Sequence, residues 1–256
     1  MLRKCVTVFA VLGVLTLGCF AQVPKRFRAE SLHSRHGFHW TVEHSRHYEF
    51  YFEGGSPAAR DIEHIETVLE NNYAHIVVLL GGKDPDLATK AFVVDSRARM
   101  KQLTGRESNG LSVGDVLLFV YGDSVKALGA HEETHLLSYR LWGKPRGIWL
   151  AEGLAVYADN DWQGEPLNRI CKRLKEEGKL LPLSSLMDDG QFNATDEMVT
   201  YPEAGSLVRF IYERYGVDAL RAVWSRGAQS IPEVLGIPAA QLEAEWLSGI
   251  VTGRQN

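Results

Sequence analysis

Two histidines four residues apart, with a glutamate directly after the first, are the residues of this sequence best suited to chemistry. They are His131, Glu132 and His135, in the segment GAHEETHLL. On an α-helix, positions four apart differ by about 40° in angle and about 6 Å along the axis, so both imidazoles can bind one metal ion. Glu132 projects about 100° away, where it can act on a water molecule beside that ion. This is the arrangement of the H-E-x-x-H motif.

Coincidence, or a degenerate remnant of a metal site, would also explain the motif. We expect a helix over residues 124–142, whose apolar face would bury the histidines among Val125, Leu128, Leu136 and Leu137. A buried histidine pair costs free energy unless it has a partner or an ion. A metal site is therefore the better explanation.

A catalytic zinc ion usually has three protein ligands and one water molecule. The third ligand is not a further histidine of an extended H-E-x-x-H-x-x-G-x-x-H motif, because Ser138 and Leu141 occupy the glycine and histidine positions. No histidine follows His135 in the sequence. The third ligand should therefore be a carboxylate further along the chain.

Glu152 is the best candidate for that carboxylate. It is the only charged residue in the apolar segment GIWLAEGLAVYA, residues 147–158. Burying a lone carboxylate costs several kcal/mol unless it is paired or binds a metal. Exposure to solvent, or a role in capping a turn, would be the alternatives for Glu152. Asp159 and Asp161 fit less well, because they lie at the polar end of the segment.

The elements that must position these residues can be predicted from periodicity. Alternation predicts strands around 38–43 and 48–53, and the segments KAFVVDS and GDVLLFVYG predict two more. Apolar spacing predicts a helix over 58–80, ended by Gly81-Gly82, and RARMKQLTG predicts a helical turn. The remaining sequence predicts helices over 124–142, 147–159, 166–179, 202–215, 217–226 and 239–251. These elements predict an α+β fold with an N-terminal mixed sheet and a mostly helical C-terminal lobe.

The first 21 residues have the features of a secretory signal. A basic start, MLRK, precedes a short apolar run, and small residues allow cleavage after Ala21. A lipoprotein anchored at Cys19 is the alternative. We expect one domain over 22–256, with an α/β lobe at about 30–142 and a helical lobe at about 143–256. Its location would be secreted or periplasmic.

Composition excludes some partners and leaves others open. The 256 residues include 28 basic and 32 acidic residues, a net charge of −4, which does not favour nucleic acid or an anionic membrane surface. No apolar run after the signal is long enough to span a membrane. Oligomeric state cannot be predicted. Cys171, the only cysteine after the signal, is expected to be a packing residue.

Five of the nine histidines lie close together near the N-terminus, and these are His33, His36, His39, His44 and His47. Such a cluster could bind a second metal ion or respond to pH. The histidines fall on both sides of a predicted turn between two strands. We therefore predict that they form a solvated edge.

H-E-x-x-H followed by WLAEGLA resembles the gluzincins, in particular the peptidase MA-like proteins. The resemblance continues at YPEAGSLVRFIYERYG, residues 201–216, and covers roughly residues 110–216. It implies a zincin-like fold and one Zn²⁺ per chain, bound by His131, His135 and Glu152. In aminopeptidase-type gluzincins a tyrosine introduces a similar helix and stabilises the oxyanion, a role that falls here on Tyr201.

The sequence departs from this family in two places. The glycine-rich motif that binds a substrate's amino terminus in aminopeptidases is not recognisable, and GRESNGLSVGD occupies that region. Some gluzincins carry an aspartate four residues after the ligand glutamate, where this chain has Val156. Aminopeptidase activity is therefore not implied, and the residues that orient the ligands must come from elsewhere.

The function expected from the resemblance is that of a zinc metallopeptidase acting on peptides or proteins. Glu132 would be the general base, and Tyr201, Tyr157 or a basic residue would be the oxyanion donor. The strand in GDVLLFVYG is expected to be the edge strand that pairs with an extended substrate. A catalytically silent zincin fold that serves as a binding or assembly module is the alternative.

Overall fold

The computed structural model describes residues 31–252, and the N-terminal part of this range contains a five-stranded mixed sheet. Its strands are β1 (Trp40–His44), β2 (Tyr48–Glu53), β3 (Thr89–Val94), β4 (Gly110–Val113) and β5 (Val116–Val120). They are arranged in the order β1-β2-β3-β5-β4. The central pairs β2–β3 and β3–β5 are parallel, and the outer pairs β1–β2 and β4–β5 are antiparallel.

The position of β5 shows that one prediction was wrong. β5 lies between β3 and β4 and all its residues are buried, so it is not the edge strand. That position belongs to β4, where Leu111 pairs with Leu118 and Val113 pairs with Val116. The sequence GLSV is short and rich in small residues, so its strand structure depends on pairing with β5 rather than on local propensity.

The region after the sheet is mostly helical, as predicted. The helices of the described chain are α1 (Pro57–Arg60), α2 (Ile62–Leu79), α3 (Arg97–Thr104), α4 (His131–Trp142), α5 (Ile148–Asp159), α6 (Leu167–Glu176), α7 (Leu183–Leu186), α8 (Asp189–Ala194), α9 (Glu197–Tyr215), α10 (Val217–Arg226), α11 (Ile231–Leu235) and α12 (Ala239–Thr252). A small hairpin of β6 (Asp161–Trp162) and β7 (Glu165–Pro166) follows α5.

The helix predicted over 124–142 begins only at His131, as α4. Residues before it continue the strand region instead: Tyr121 bridges to Lys126, and the Ala127 N–H bonds to the Val120 carbonyl. Val125 and Leu128 therefore lie outside the helix. The histidine motif is consequently the first part of α4, not its middle.

Two other helix boundaries differ from prediction for local reasons. The segment predicted over 58–80 divides at Asp61 into α1 and α2, and Ser56 caps α1 by accepting a hydrogen bond from the Ala59 N–H. Helix α9 begins at Glu197 rather than 202, because the Asp196 carboxylate accepts the Met198 N–H. Tyr201 is thus inside α9, with Pro202 in the helix after it.

The sheet has a hydrophobic core on each face. On one face Phe50 and Phe119 belong to a cluster that includes residues of α2, α4, α5 and α9. On the other, Phe92 and Leu118 pack with Met100 of α3. The H-E-x-x-H motif lies where the first core joins the sheet to the helical region.

Residues 1–30 and 253–256 lie outside the described part of the chain. The predicted signal over residues 1–21 and the alternative lipid anchor at Cys19 therefore fall outside it and stay predictions. Within residues 31–252, no helix has the length and apolar character that crossing a bilayer requires.

Candidate metal centre

Helices α4 and α5 bring the three predicted ligands together. The Nε2 atoms of His131 and His135 are 3.1 Å apart. Glu152 Oε2 lies 3.3 Å from His131 Nε2 and 3.4 Å from His135 Nε2. His135 and Glu152 are buried, whereas the His131 side chain is 20% exposed. The three donor atoms therefore form a nearly equilateral triangle that opens toward solvent on the side of His131.

The spacing and chemistry of these donors fit a zinc ion. Tetrahedral zinc with bonds of about 2.0–2.1 Å requires donor atoms about 3.3–3.4 Å apart, close to the distances observed. Neither carboxylate oxygen of Glu152 has a hydrogen-bond partner among the described residues, although Glu152 is only 1% exposed. A buried carboxylate in this state is costly unless a cation neutralises it.

The electrostatics of the triangle favour a charged carboxylate. Burial alone raises the pKa of Glu152, but His135 and His131 outweigh it and lower this pKa to about 2. Burial lowers the pKa of His135, and the opposing effect of Glu152 leaves that pKa raised overall. Glu152 is therefore an anion at neutral pH, as a metal ligand must be.

Close packing positions α5 against α9 at two glycines. A Cβ atom at Gly153 would lie 2.6 Å from the Ala204 carbonyl oxygen, and one at Gly205 would lie 2.7 Å from Val156 Cγ1. The two helices can approach only because both positions lack a side chain. Glu152, next to Gly153, is thereby fixed relative to the helix that carries Tyr201.

Glu132 lies against the edge strand. A Cβ atom at Gly110, the first residue of β4, would be 2.7 Å from Glu132 Cγ and 3.0 Å from its Oε1. Glu132 is partly buried, and it projects away from the face that carries the two histidines. The side chain of Glu132, the predicted general base, therefore lies between helix α4 and the edge strand β4.

Tyr201 lies beside the ligands, in an aromatic group with Trp162 and Phe192. The Tyr201 ring is nearly parallel to that of His131, with centroids 6.4 Å apart, and its centroid lies 4.7 Å from that of Trp162. The ring centroid of Phe192 lies 5.7 Å from that of Tyr201. Tyr157 instead packs against Tyr212, at 5.6 Å. Of the two tyrosines considered as oxyanion donors, Tyr201 is thus the one whose ring lies beside a predicted ligand, His131.

Sequence reasoning underestimated Asp159. Its Oδ1 accepts the N–H of Ala130, at 2.5 Å, and so fixes the start of α4 directly before His131. Gly129 permits this approach, since a Cβ there would lie 2.9 Å from the same oxygen. Asp159 is seven residues after Glu152 and so lies on the same face of α5, a spacing that could have identified it.

Trp162 is a second residue that the sequence did not indicate. It lies in β6, and its ring centroid is 6.2 Å from that of His131. Its buried indole Nε1 has no hydrogen-bond partner among the described residues. No motif distinguishes this tryptophan, because the hairpin that carries it has only two residues in each strand.

Glu133, the second glutamate of HEETH, has a structural role behind the site. It is buried, and the hydroxyl of Tyr48 in β2 donates a hydrogen bond to it. Burial is the main reason that its pKa is raised, to about 8. Glu133 therefore connects α4 to the sheet as a neutral acid at moderate pH.

The remaining predictions about histidines and cysteine have mixed outcomes. His33, His36, His39 and His44 are exposed, as predicted for a solvated edge. His47 is buried, at 5% exposure, so the prediction is wrong for this residue. Cys171 is buried in α6, and burial raises its pKa to about 12, which agrees with a packing role.

Comparison with models of known protein families finds none that matches the chain, and a search of curated proteins finds no match. The assignment of function therefore depends on the site itself.

Proposed function

We propose that this chain is a zinc metallopeptidase of the gluzincin type, with one catalytic Zn²⁺ bound by His131, His135 and Glu152. The observation that carries the proposal is the triangle of donor atoms 3.1–3.4 Å apart, two of them on the buried His135 and Glu152, with Glu132 on the next face of the same helix as the histidines. The mixed sheet and the helical C-terminal region support the zincin-like fold that the motif resemblance implies.

Zinc, when bound, supplies a Lewis acid that polarises a peptide carbonyl and lowers the pKa of a coordinated water. Glu132 is the general base: its carboxylate takes a proton from the attacking water and returns it to the leaving amine. Tyr201 directs its phenol toward the developing oxyanion from its place beside His131. Asp159 fixes the N-terminus of α4 and so maintains the angle at which His131 and Glu132 project.

Substrate recognition follows from the edge position of β4. Within the described chain, β4 pairs with β5 on one side only, so its outer backbone groups can pair with an extended peptide. Gly110 of this strand contacts Glu132. A peptide paired along β4 would therefore pass the general base with little dependence on its own side chains.

The decisive test combines metal content with turnover. Zinc per chain would be measured by elemental analysis for wild type, Glu132→Gln and His135→Ala, and cleavage of a mixed peptide library would be followed by mass spectrometry. We expect Glu132→Gln to retain the metal while turnover falls by about 10²–10⁴-fold, the range for a lost general base. His135→Ala should lose the site's metal and the activity together.

Glu107→Gln, which removes an exposed carboxylate ion-paired to Lys101, is the matched control and should be unchanged. A Glu132→Gln variant that cleaves as fast as wild type would falsify the mechanism. Wild-type protein that binds zinc but cleaves no peptide would favour a silent binding module.

A further inference from the structure

A second group of metal-ligand residues surrounds His47, at the start of β2. His47 lies directly before Tyr48, and its ring stacks on that of Tyr73 from α2, with centroids 3.8 Å apart and planes at 11°. The loop between α2 and β3 passes over it with Asp84 and Asp86. One ligand atom from each of these three residues lies within 4.8 Å of the others.

Glu70 fixes the orientation of the His47 ring. Its Oε2 is 2.6 Å from His47 Nδ1, and its Oε1 accepts the backbone N–H of His47 at 2.8 Å. The Ser45 hydroxyl also donates to Oε1, at 2.5 Å. A carboxylate on one ring nitrogen fixes the tautomer in which the other nitrogen has a lone pair, as for histidines that bind metals.

That other nitrogen has no hydrogen-bond partner. His47 Nε2 is buried, unpaired among the described residues, and 3.5 Å from Asp84 Oδ2. In the tautomer that Glu70 favours, a lone pair therefore faces a carboxylate oxygen. Two acceptors in this position repel each other unless a proton or a cation lies between them.

The loop is folded so that Asp84 points at His47. Asp84 Oδ1 accepts the Tyr73 hydroxyl at 2.9 Å and the Asp86 N–H at 2.8 Å. This leaves Oδ2 toward His47, where the mostly exposed Arg46 also reaches it at 3.2 Å. Asp86 has a φ of 48°, in the left-handed region, which turns the chain back so that both carboxylates lie near the imidazole.

We propose that His47, Asp84 and Asp86 form a second metal site, which binds a divalent transition-metal ion such as Zn²⁺ or Mn²⁺. One imidazole with two carboxylates suits these ions better than Ca²⁺ or Mg²⁺, which prefer oxygen ligands throughout. Glu70 is the positioning residue, because it orients His47 without being a ligand. Bound metal would attach the α2–β3 loop to the start of β2 and stabilise that corner of the sheet. The site does not depend on the activity proposed for the HEETH motif.

The test measures Zn²⁺ binding by isothermal titration calorimetry in a His131→Ala, His135→Ala double variant, which lacks the first site. We expect one zinc per chain, with affinity reduced at least tenfold by Asp86→Asn and by about 10–100-fold by Glu70→Gln. Asp123→Asn, which removes an exposed carboxylate paired with Arg60, is the control and should bind as the double variant does.

Should the double variant fail to fold, the same change can be measured in the wild-type background. Asp86→Asn should then reduce zinc content from two ions per chain to one while peptide cleavage is retained. No zinc in the double variant, or unchanged binding in Asp86→Asn, would overturn the second site. Either of these results would leave the proposal for the first site unchanged. Conversely, a finding that His131, His135 and Glu152 bind no zinc would leave the proposal for the second site unchanged.

Discussion

The two sides of the proposed catalytic site are formed in different ways. On the helical side, Glu152 and Tyr201 lie on α5 and α9, which approach each other through Gly153 and Gly205. On the strand side, Glu132 contacts β4, an edge strand of four residues. The helical side is a closely packed core that fixes ligands and the proposed oxyanion donor. The strand side is the last strand of the sheet and pairs on one side only, which is what the proposed pairing with a substrate requires.

Of substitutions that test this contrast, Tyr201→Phe on the helical side should have a larger effect than the change on the strand side. The ring can keep its packing on His131 and Trp162, so only the hydroxyl is lost. We expect turnover to fall by about 10²–10³-fold with zinc content unchanged, the effect of removing one oxyanion donor. Tyr157→Phe is the matched control, because Tyr157 packs on Tyr212 instead. Equal rates for Tyr201→Phe and wild type would remove Tyr201 from the mechanism.

On the strand side, Gly110→Ala should have a smaller effect. The new methyl group would lie 2.7 Å from Glu132 Cγ, so Glu132 or β4 must move. Small displacements of a catalytic group cost up to about 10²-fold, and we expect a loss of about 10–10²-fold in kcat/KM. Ser112→Ala, on the same strand, controls for the change in β4. Loss of zinc from Gly110→Ala would mean that the strand supports the ligands as well, and the contrast between the two sides would fail.

The smallest effect concerns the stability of the helical side. Glu203 of α9 is fully buried, both its oxygens accept the Leu181 N–H, and burial raises its pKa to about 8. The unfolded chain ionises this carboxyl above about pH 4.5, whereas the folded chain retains the proton up to about pH 8. The contribution of Glu203 to stability therefore declines as pH rises between these values.

Glu203→Gln removes this dependence and keeps an acceptor for Leu181. The free energy of unfolding would be measured with denaturant at pH 5 and at pH 8. Between these pH values we expect the free energy of unfolding of the variant to rise by about 1–3 kcal/mol relative to that of wild type. Glu197→Gln, at the start of the same helix, is the control. A difference between variant and wild type that does not change with pH would mean that Glu203 is ionised in the folded chain.

The parts of the structure that the sequence predicted depend on short-range spacing. His131 and His135 are four residues apart on one helix, and Glu152 interrupts an apolar helix, so each could be identified without knowing the fold. The helical C-terminal region and most strands followed from periodicity. The α5 boundaries at Ile148 and Asp159 agree closely with the predicted range 147–159.

The features that were missed depend on long-range contacts. β4 is a strand because β5 pairs with it, and α4 begins late because residues 121–127 remain with the sheet. His47 is buried by a loop almost forty residues further along the chain, and nothing near it in the sequence indicates this. Such arrangements result from tertiary packing, which outweighs local propensity.

The position of the ligands along the chain has a consequence for how the protein matures. His131, His135 and Glu152 belong to consecutive helices, α4 and α5, whose mutual contacts are local and should form early in folding. The alignment of Glu132 requires Gly110 of the sheet, and Tyr201 comes from a helix much further along the chain. On the proposed function, the helical pair brings all three proposed ligands together before the strand edge and Tyr201 are in place, so we expect the chain to acquire its ion before its ability to cleave peptides.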